Sequence, residues 1–343
     1  MALSPLDIFA SGCVIPAHPL ALTAGRKLDE RRQAAVARYY AAAGAGGIAV
    51  GVHTTQFPIH DNGMLKPVLE IAADVVRGVG RPMVLVAGVQ GDTEAAVAEA
   101  EQAAKLGYHM VLLRPALGSE EEMIARASAV GEVLPVVGFY LQPAVGGRVL
   151  SRAFWQRFAA LDCVVGIKVA PFDRYRTLDV LHGVARSGRA DRVALYTGND
   201  NNIIGDLLSP YELETGQGTI SLRFAGGLLG QFAVWTKAAV EILDGAKRAS
   251  AGDAVALHRL MVLDGQLTDA NAALFDVANN FHGCIAGINE VLARQGLLKG
   301  RWCLDPHEDL SPGQGAELDR VIADYPHLTD DVFVAENLDR WLR

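Results

Sequence analysis

Short hydrophobic runs recur along the first two-thirds of the chain, each followed by a longer stretch with helical periodicity. The runs are Cys13 to Ala17, Gly47 to Val52, Pro82 to Val89, Met110 to Leu113, Leu134 to Tyr140, Cys163 to Lys168, Val193 to Tyr196 and Gly218 to Leu222. They are short and continuously apolar, which is the mark of parallel strands buried on both faces. Helices are predicted over Leu28 to Ala43, Lys66 to Val79, Asp92 to Leu106, Asp173 to Ala185 and Asp200 to Leu208, with others opening at Ser119 and Ser151. An eighth begins near Gly227 and runs past Trp235. Asp92 reads as an N-cap, and Ser119 with Glu122 three residues on reads as a capping box. Eight strand–helix units in sequence predict a (β/α)8 TIM barrel. An open doubly wound sheet is the alternative. It is weakened because Pro16-Ala17-His18-Pro19 stands where a Gly-rich phosphate turn would follow the first strand.

From about Ala251 the strands stop. Ala254 to Leu267, Asp269 to Val277 and Gly287 to Gln295 read as helices, and helices resume at Gly315. The expected organisation is a barrel catalytic domain over residues 1–248 and a C-terminal helical region over 249–343.

Composition narrows the partners. The chain has 343 residues, half of them hydrophobic, so it can build a large core without disulfides or metals. Its net charge is −8 with no basic cluster, which excludes nucleic acid and anionic membrane as expected partners. Cys13, Cys163, Cys284 and Cys303 lack metal spacing, and Cys163 and Cys284 read as small core residues in a reducing compartment. The N-terminus has no signal-peptide pattern and no run is long enough to span a bilayer, so a cytoplasmic location is expected.

In a barrel the C-terminal strand ends carry the chemistry. They bring together Pro16-Ala17-His18, His53-Thr54-Thr55, Arg114, Tyr140, Lys168, Gly198-Asn199-Asp200 and Ser221. Lys168 closes the apolar run Val164-Val165-Gly166-Ile167, with no acidic neighbour until Asp173. Burial there lowers a lysine pKa and leaves free amine for attack on a carbonyl. Tyr140 ends the preceding strand and is expected across the same pocket; the alternative is a half-buried tyrosine whose hydroxyl meets a backbone carbonyl. Thr54 and Thr55 offer hydroxyls and N–H groups to a carboxylate, or simply form a turn. Gly198-Asn199-Asp200-Asn201-Asn202 reads as a loop near the pocket or as a helix N-terminus, and the cap is the favoured reading. His18, His53, His60 and Asp61 offer a second reading, a metal-dependent barrel hydrolase, although their spacing specifies no complete ligand set. His53 is better placed as a pocket-lining group.

These residues resemble the dihydrodipicolinate synthase / N-acetylneuraminate lyase superfamily of class I aldolases. Ile15-Pro16-Ala17-His18-Pro19-Leu20 is similar to the family's first-strand end. Phe139-Tyr140-Leu141-Gln142-Pro143 resembles its tyrosine strand, and Val165-Gly166-Ile167-Lys168 its Schiff-base strand. The separation of Tyr140 and Lys168 also fits, and the likeness covers most of the chain. It implies that Lys168 forms an imine with pyruvate or a related 2-oxo acid and that Tyr140 relays protons. By the same likeness, Thr54, Thr55 and His53 meet the substrate carboxylate, and Ala17, Ile220 and Ser221 line the pocket. No metal or organic cofactor is implied, and a homo-oligomer, dimer or tetramer, is. The chain departs from the family at three places. Thr54 and Thr55 match the family's threonine pair only if two residues are inserted. Leu117 stands near the place of a second tyrosine. Val145 replaces an arginine that binds a second carboxylate in the synthases, so dihydrodipicolinate synthase activity itself is not expected. A barrel that binds a 2-oxo or sugar acid without turnover is the alternative from another class.

Overall fold

The computed structural model describes residues 3–114, 118–216 and 218–343. Ten strands occur among these residues: β1 (Val14–Pro16), β2 (Gly47–Val50), β3 (Val84–Val89), β4 (Met110–Leu113), β5 (Val136–Leu141), β6 (Val164–Ala170), β7 (Ala194–Thr197), β8 (Tyr211–Thr215), β9 (Gly218–Leu222) and β10 (Phe224–Leu229). Eight of them form one parallel sheet in the order β1-β10-β7-β6-β5-β4-β3-β2. The sheet closes on itself where Ala17 bridges Ala49 in parallel and the His18 N–H donates to the Ala49 carbonyl at 2.8 Å. The fold is a (β/α)8 barrel with C-terminal helices.

The helix α1 (Pro5–Ser11) precedes β1 and plugs the N-terminal end of the barrel. Its Phe9 stacks on Tyr196 at 4.4 Å, and the Tyr196 hydroxyl donates to the Phe9 carbonyl. Outside the strands lie α2 (Glu30–Ala43), α3 (Leu65–Arg77), α4 (Thr93–Leu106), α5 (Glu120–Gly131), α6 (Arg152–Ala159), α7 (Arg174–Ala185), α8 (Ile203–Leu208) and α9 (Thr236–Ser250). The side chains of Asp29, Asp92, Ser119, Ser151 and Asp173 cap the N-termini of α2, α4, α5, α6 and α7. Ser119 and Glu122 form the expected reciprocal box.

Two expectations are corrected. Gly218 to Leu222 is a strand, but it pairs antiparallel with β8 in a separate two-stranded ribbon. The eighth barrel strand is β10, and the following helix starts at Thr236, not near Gly227. The Gly226-Gly227 pair disguises β10 in the sequence. Both glycines are there for packing: a Cβ on Gly226 would lie 2.4 Å from the Cys13 carbonyl oxygen, and one on Gly227 would lie 2.5 Å from the Phe232 ring. The second correction lies in the C-terminal part, where two expected helices are one continuous α10 (Ala254–Leu274). There follow α11 (Cys284–Arg294), α12 (Gln314–Asp324) and α13 (Asp331–Trp341). Helix α10 packs on α8 and α9, and α13 packs on α2. The Tyr39 hydroxyl of α2 donates to the buried Asp330 carboxylate at 2.6 Å, tying barrel to extension. Among the described residues, no helix is long and apolar enough to cross a membrane.

Replacing Gly226 with alanine presses a methyl group into the backbone of Cys13, immediately before β1. We expect Gly226→Ala to destabilise the fold by about 1–3 kcal/mol, read as a lowered midpoint in denaturant unfolding. An unchanged midpoint would contradict the close approach of β1 and β10.

Candidate active site

Lys168 stands near the C-terminal end of β6, with Ile167 and Val169 on the opposite face. Strand alternation turns it into the barrel, level with Phe139 of β5 and Tyr196 of β7. It is only 7% exposed. Its Nζ lies 4.3 Å from the centre of the Phe139 ring, and its stem lies against Gly198. A Cβ at position 198 would come within 2.8 Å of the lysine Cε, so that glycine is what leaves the side chain its space.

A cavity of about 60 Å³ opens above the amine. Lys168, His53, Thr54, Gln142 and Asp200 give it its main polar lining. Leu141, Val145, Phe172, Phe275, Phe281, Ile285 and Ile288 supply much of the remaining wall. The C-terminal extension therefore roofs the barrel mouth, through the segment before α11 and through α11 itself.

Burial pushes the Lys168 amine below its usual range, and the charge of Asp200 partly offsets the shift. Burial pushes the Asp200 carboxyl upward. The Lys168 charge opposes that rise, as does an N–H donated from the Gln231 backbone. One Asp200 oxygen, Oδ1, is buried without a hydrogen-bond partner. Each charge thus favours ionisation of the other, while burial disfavours both. His53 is pushed down to about 4 by burial, helped by the Lys168 and Arg114 charges, and is a neutral imidazole at neutral pH.

Asp200 is a functional candidate that the sequence disguised. It does not cap α8, whose N-cap is Asn202. Its loop is braced from two sides. The Asn271 amide of α10 donates to the Asp200 carbonyl at 2.7 Å. Buried Asp206 accepts from Thr197, Asn199 and Asn202 and pairs with Arg174. Asn199 in turn accepts the Phe172 N–H at 3.0 Å. The one available signal was position, since Asp200 follows β7 directly at the barrel's C-terminal face.

Of the expected site residues, Lys168, His53 and Thr54 meet at the cavity. Tyr140 does not. Its ring points outward against Trp155 at 5.1 Å, and its hydroxyl accepts the Leu150 N–H at 3.5 Å. The physical cause is the alternation of β5, which turns Val137, Phe139 and Leu141 into the barrel and Tyr140 out of it. A register shift then sets the lysine: Val136 pairs with Val164 but Val137 with Gly166, and the extra β6 residue, Val165, brings Lys168 inward beside Phe139. Thr55 is also spent on structure: its hydroxyl donates to the His18 carbonyl at 2.7 Å and accepts the Gly51 and Val52 N–H groups. Ala17 is sealed in the barrel core at the closing bridge. Ile220 and Ser221 sit on the β8–β9 ribbon and line a separate groove beside Arg186 and Asp191. Val145 does reach the cavity wall, while Leu117 lies outside the described residues.

The histidines of the metal reading are dispersed. His60 engages Glu99 through Nδ1 and the Gly51 carbonyl through Nε2, and His18 Nδ1 meets the Pro19 carbonyl and Gln33. Among the described residues, no three His, Cys, Asp or Glu side chains gather as a metal site.

No protein-family model matches the sequence, and no curated protein matches it. Solved structures do match the fold. A monomeric dihydrodipicolinate synthase variant is 20% identical, with 93% of this chain and 99% of that one covered and a TM-score of 0.74. A dihydrodipicolinate synthase from Bacteroides thetaiotaomicron is 16% identical, with coverages of 91% and 98% and a TM-score of 0.73. An N-acetylneuraminate lyase from Fusobacterium nucleatum, complexed with pyruvate, is 16% identical, with coverages of 92% and 97% and a TM-score of 0.72. These likenesses establish a shared barrel and shared C-terminal helices.

The pairing of Lys168 with Asp200 has a signed consequence. Small-reagent acylation of Lys168, followed by mass spectrometry across pH, should show a midpoint below the ordinary lysine value of about 10.4. Asp200→Asn should move that midpoint lower still, because it removes the charge that favours the ammonium. An unmoved or raised midpoint in the variant would disprove the coupling.

Proposed function

We propose that this protein is a divergent member of the dihydrodipicolinate synthase / N-acetylneuraminate lyase superfamily, a lyase or aldolase that binds a small 2-oxo acid as an imine on Lys168. The observation that carries the reading is the buried amine of Lys168, its pKa lowered, facing a small cavity at the C-terminal mouth of this barrel.

In this reading the neutral amine attacks the 2-oxo carbon and the carbinolamine loses water. The imine then draws electrons from the adjacent carbon, and no metal or organic cofactor is needed for that step. Asp200, in place of the phenol first assigned to Tyr140, takes and returns the protons of carbinolamine formation and dehydration. Its free Oδ1 and raised pKa suit that task. Thr54 and neutral His53 meet the carboxylate end. A homo-oligomer is proposed by resemblance alone, and a cytoplasmic location on the sequence pattern alone.

The test is borohydride trapping with pyruvate, followed by peptide mass spectrometry. We expect one reduced pyruvate adduct on Lys168, and none in Lys168→Ala. Failure to trap any 2-oxo acid would remove the imine mechanism and favour a barrel that binds without turnover. Asp200→Asn should trap pyruvate more slowly, and its turnover should fall by roughly 10²–10⁴, the usual scale for a lost general acid–base group. Wild-type turnover in that variant would reject the role given to Asp200.

A further inference from the structure

The wall of the cavity distinguishes what the imine reacts with. Beyond the groups assigned to the 2-oxo acid, the turn after β5 contributes Val145 and the C-terminal cover contributes Phe275, Phe281, Ile285 and Ile288. Phe172, from the loop after β6, meets Phe281 edge-on with ring centres 5.7 Å apart. Both phenylalanines have positive φ, 54° and 66°, a conformation that a bulky side chain adopts only when its surroundings enforce it. The enforcement is visible. Asn199 accepts the Phe172 N–H, and the Phe281 N–H donates to the Asp276 carbonyl. The Asp276 carboxylate accepts from Gly283, Asn279 and Ser311. Two aromatic rings are thus held at the mouth of the site against backbone preference.

We propose that the second substrate, or the fragment released, is an aldehyde bearing a hydrocarbon substituent, alkyl or aryl, which packs against Phe172, Phe281 and Ile285. This rests on the Schiff-base reading of Lys168. A polyhydroxylated chain would place its hydroxyls against these rings without partners, and a carboxylate-bearing chain would meet Val145 where a cation is required. Gln142 offers a neutral amide near this wall, enough for one oxygen and not for a polyol.

The step balances as follows in the cleavage direction. The substrate is a 4-hydroxy-2-oxo acid held as the protonated imine. The Asp200 carboxylate takes the proton of the C4 hydroxyl, the C4–O electrons form the aldehyde carbonyl, and the C3–C4 bond breaks. Its electron pair moves to C2–C3 and neutralises the imine nitrogen, leaving an enamine. The enamine takes a proton at C3, and water releases pyruvate from Lys168. Synthesis is the reverse.

The experiment uses the wild-type protein, pyruvate and a panel of aldehydes. The panel comprises isobutyraldehyde and benzaldehyde for the hydrocarbon class, glyceraldehyde for the polyols, and succinic semialdehyde for the carboxylates. Borohydride trapping without aldehyde reports the imine separately. We expect the hydrocarbon aldehydes to be consumed with kcat/KM at least about tenfold above the other two classes, the scale on which an apolar pocket discriminates. Imine formation with equal or better use of glyceraldehyde or succinic semialdehyde overturns this inference and leaves the Schiff-base reading standing. So does imine formation with no aldehyde consumed. Absence of the imine overturns both.

Discussion

The constraint on which the upper half of this barrel depends is the burial of one amine. A lysine ammonium taken from water costs several kcal/mol unless it is paired or gives up its proton. Here both remedies are built in. Asp200 lies near enough to stabilise the charged form, and desolvation of both groups favours the neutral pair. The Phe139 face supplies a further weak attraction for the cation, and the missing side chain of Gly198 gives the lysine stem its channel. The loop after β7 must then be held firmly. Asp206 gathers its amides from below, and Asn271 clamps its backbone from α10. The C-terminal helices are therefore part of the site, through both a hydrogen bond to its loop and the roof of its cavity.

The parts of this arrangement that were legible in the sequence are those fixed by local chemistry. The apolar runs, the capping residues Asp92, Ser119, Ser151 and Asp173, and the lysine at the end of Val164-Val165-Gly166-Ile167 each carry their meaning within a few residues. What was not legible depends on register between distant segments. The pairing of Val136 with Val164, continued without a break, would set Lys168 beside Tyr140 on the outer face of the sheet. The extra residue of β6, Val165, shifts the pairing at Val137 and turns Lys168 to the interior beside Phe139, while β5 keeps its own alternation. Tyr140 joins Trp155 outside, and Phe139 takes the interior. Adjacent aromatic residues give no local signal of which one faces inward. Likewise, Gly218 to Leu222 has the pattern of a strand and is one, but only the packing of Gly226 against Cys13 reveals that the barrel closes through the next segment.

The exchange of Tyr140 for Phe139 alters the acid–base problem rather than removing it. A buried phenol has its pKa raised further above neutrality, as burial does to the outward-facing Tyr140 here. Such a group holds its proton tightly and gives it up only to a strong base. A buried carboxyl moves the other way, from an acidic value toward neutrality. Proton transfer near neutral pH is most efficient for a group whose pKa lies near the working pH. Desolvation alone therefore makes Asp200 a better matched proton carrier than a phenol in the same cavity. It does so with the same apolar wall that lowers the Lys168 amine. The roof formed by Phe172, Phe281 and Ile285 thus has two effects from one cause. It shields both charges from solvent, and it presents mainly hydrocarbon to the space above the amine.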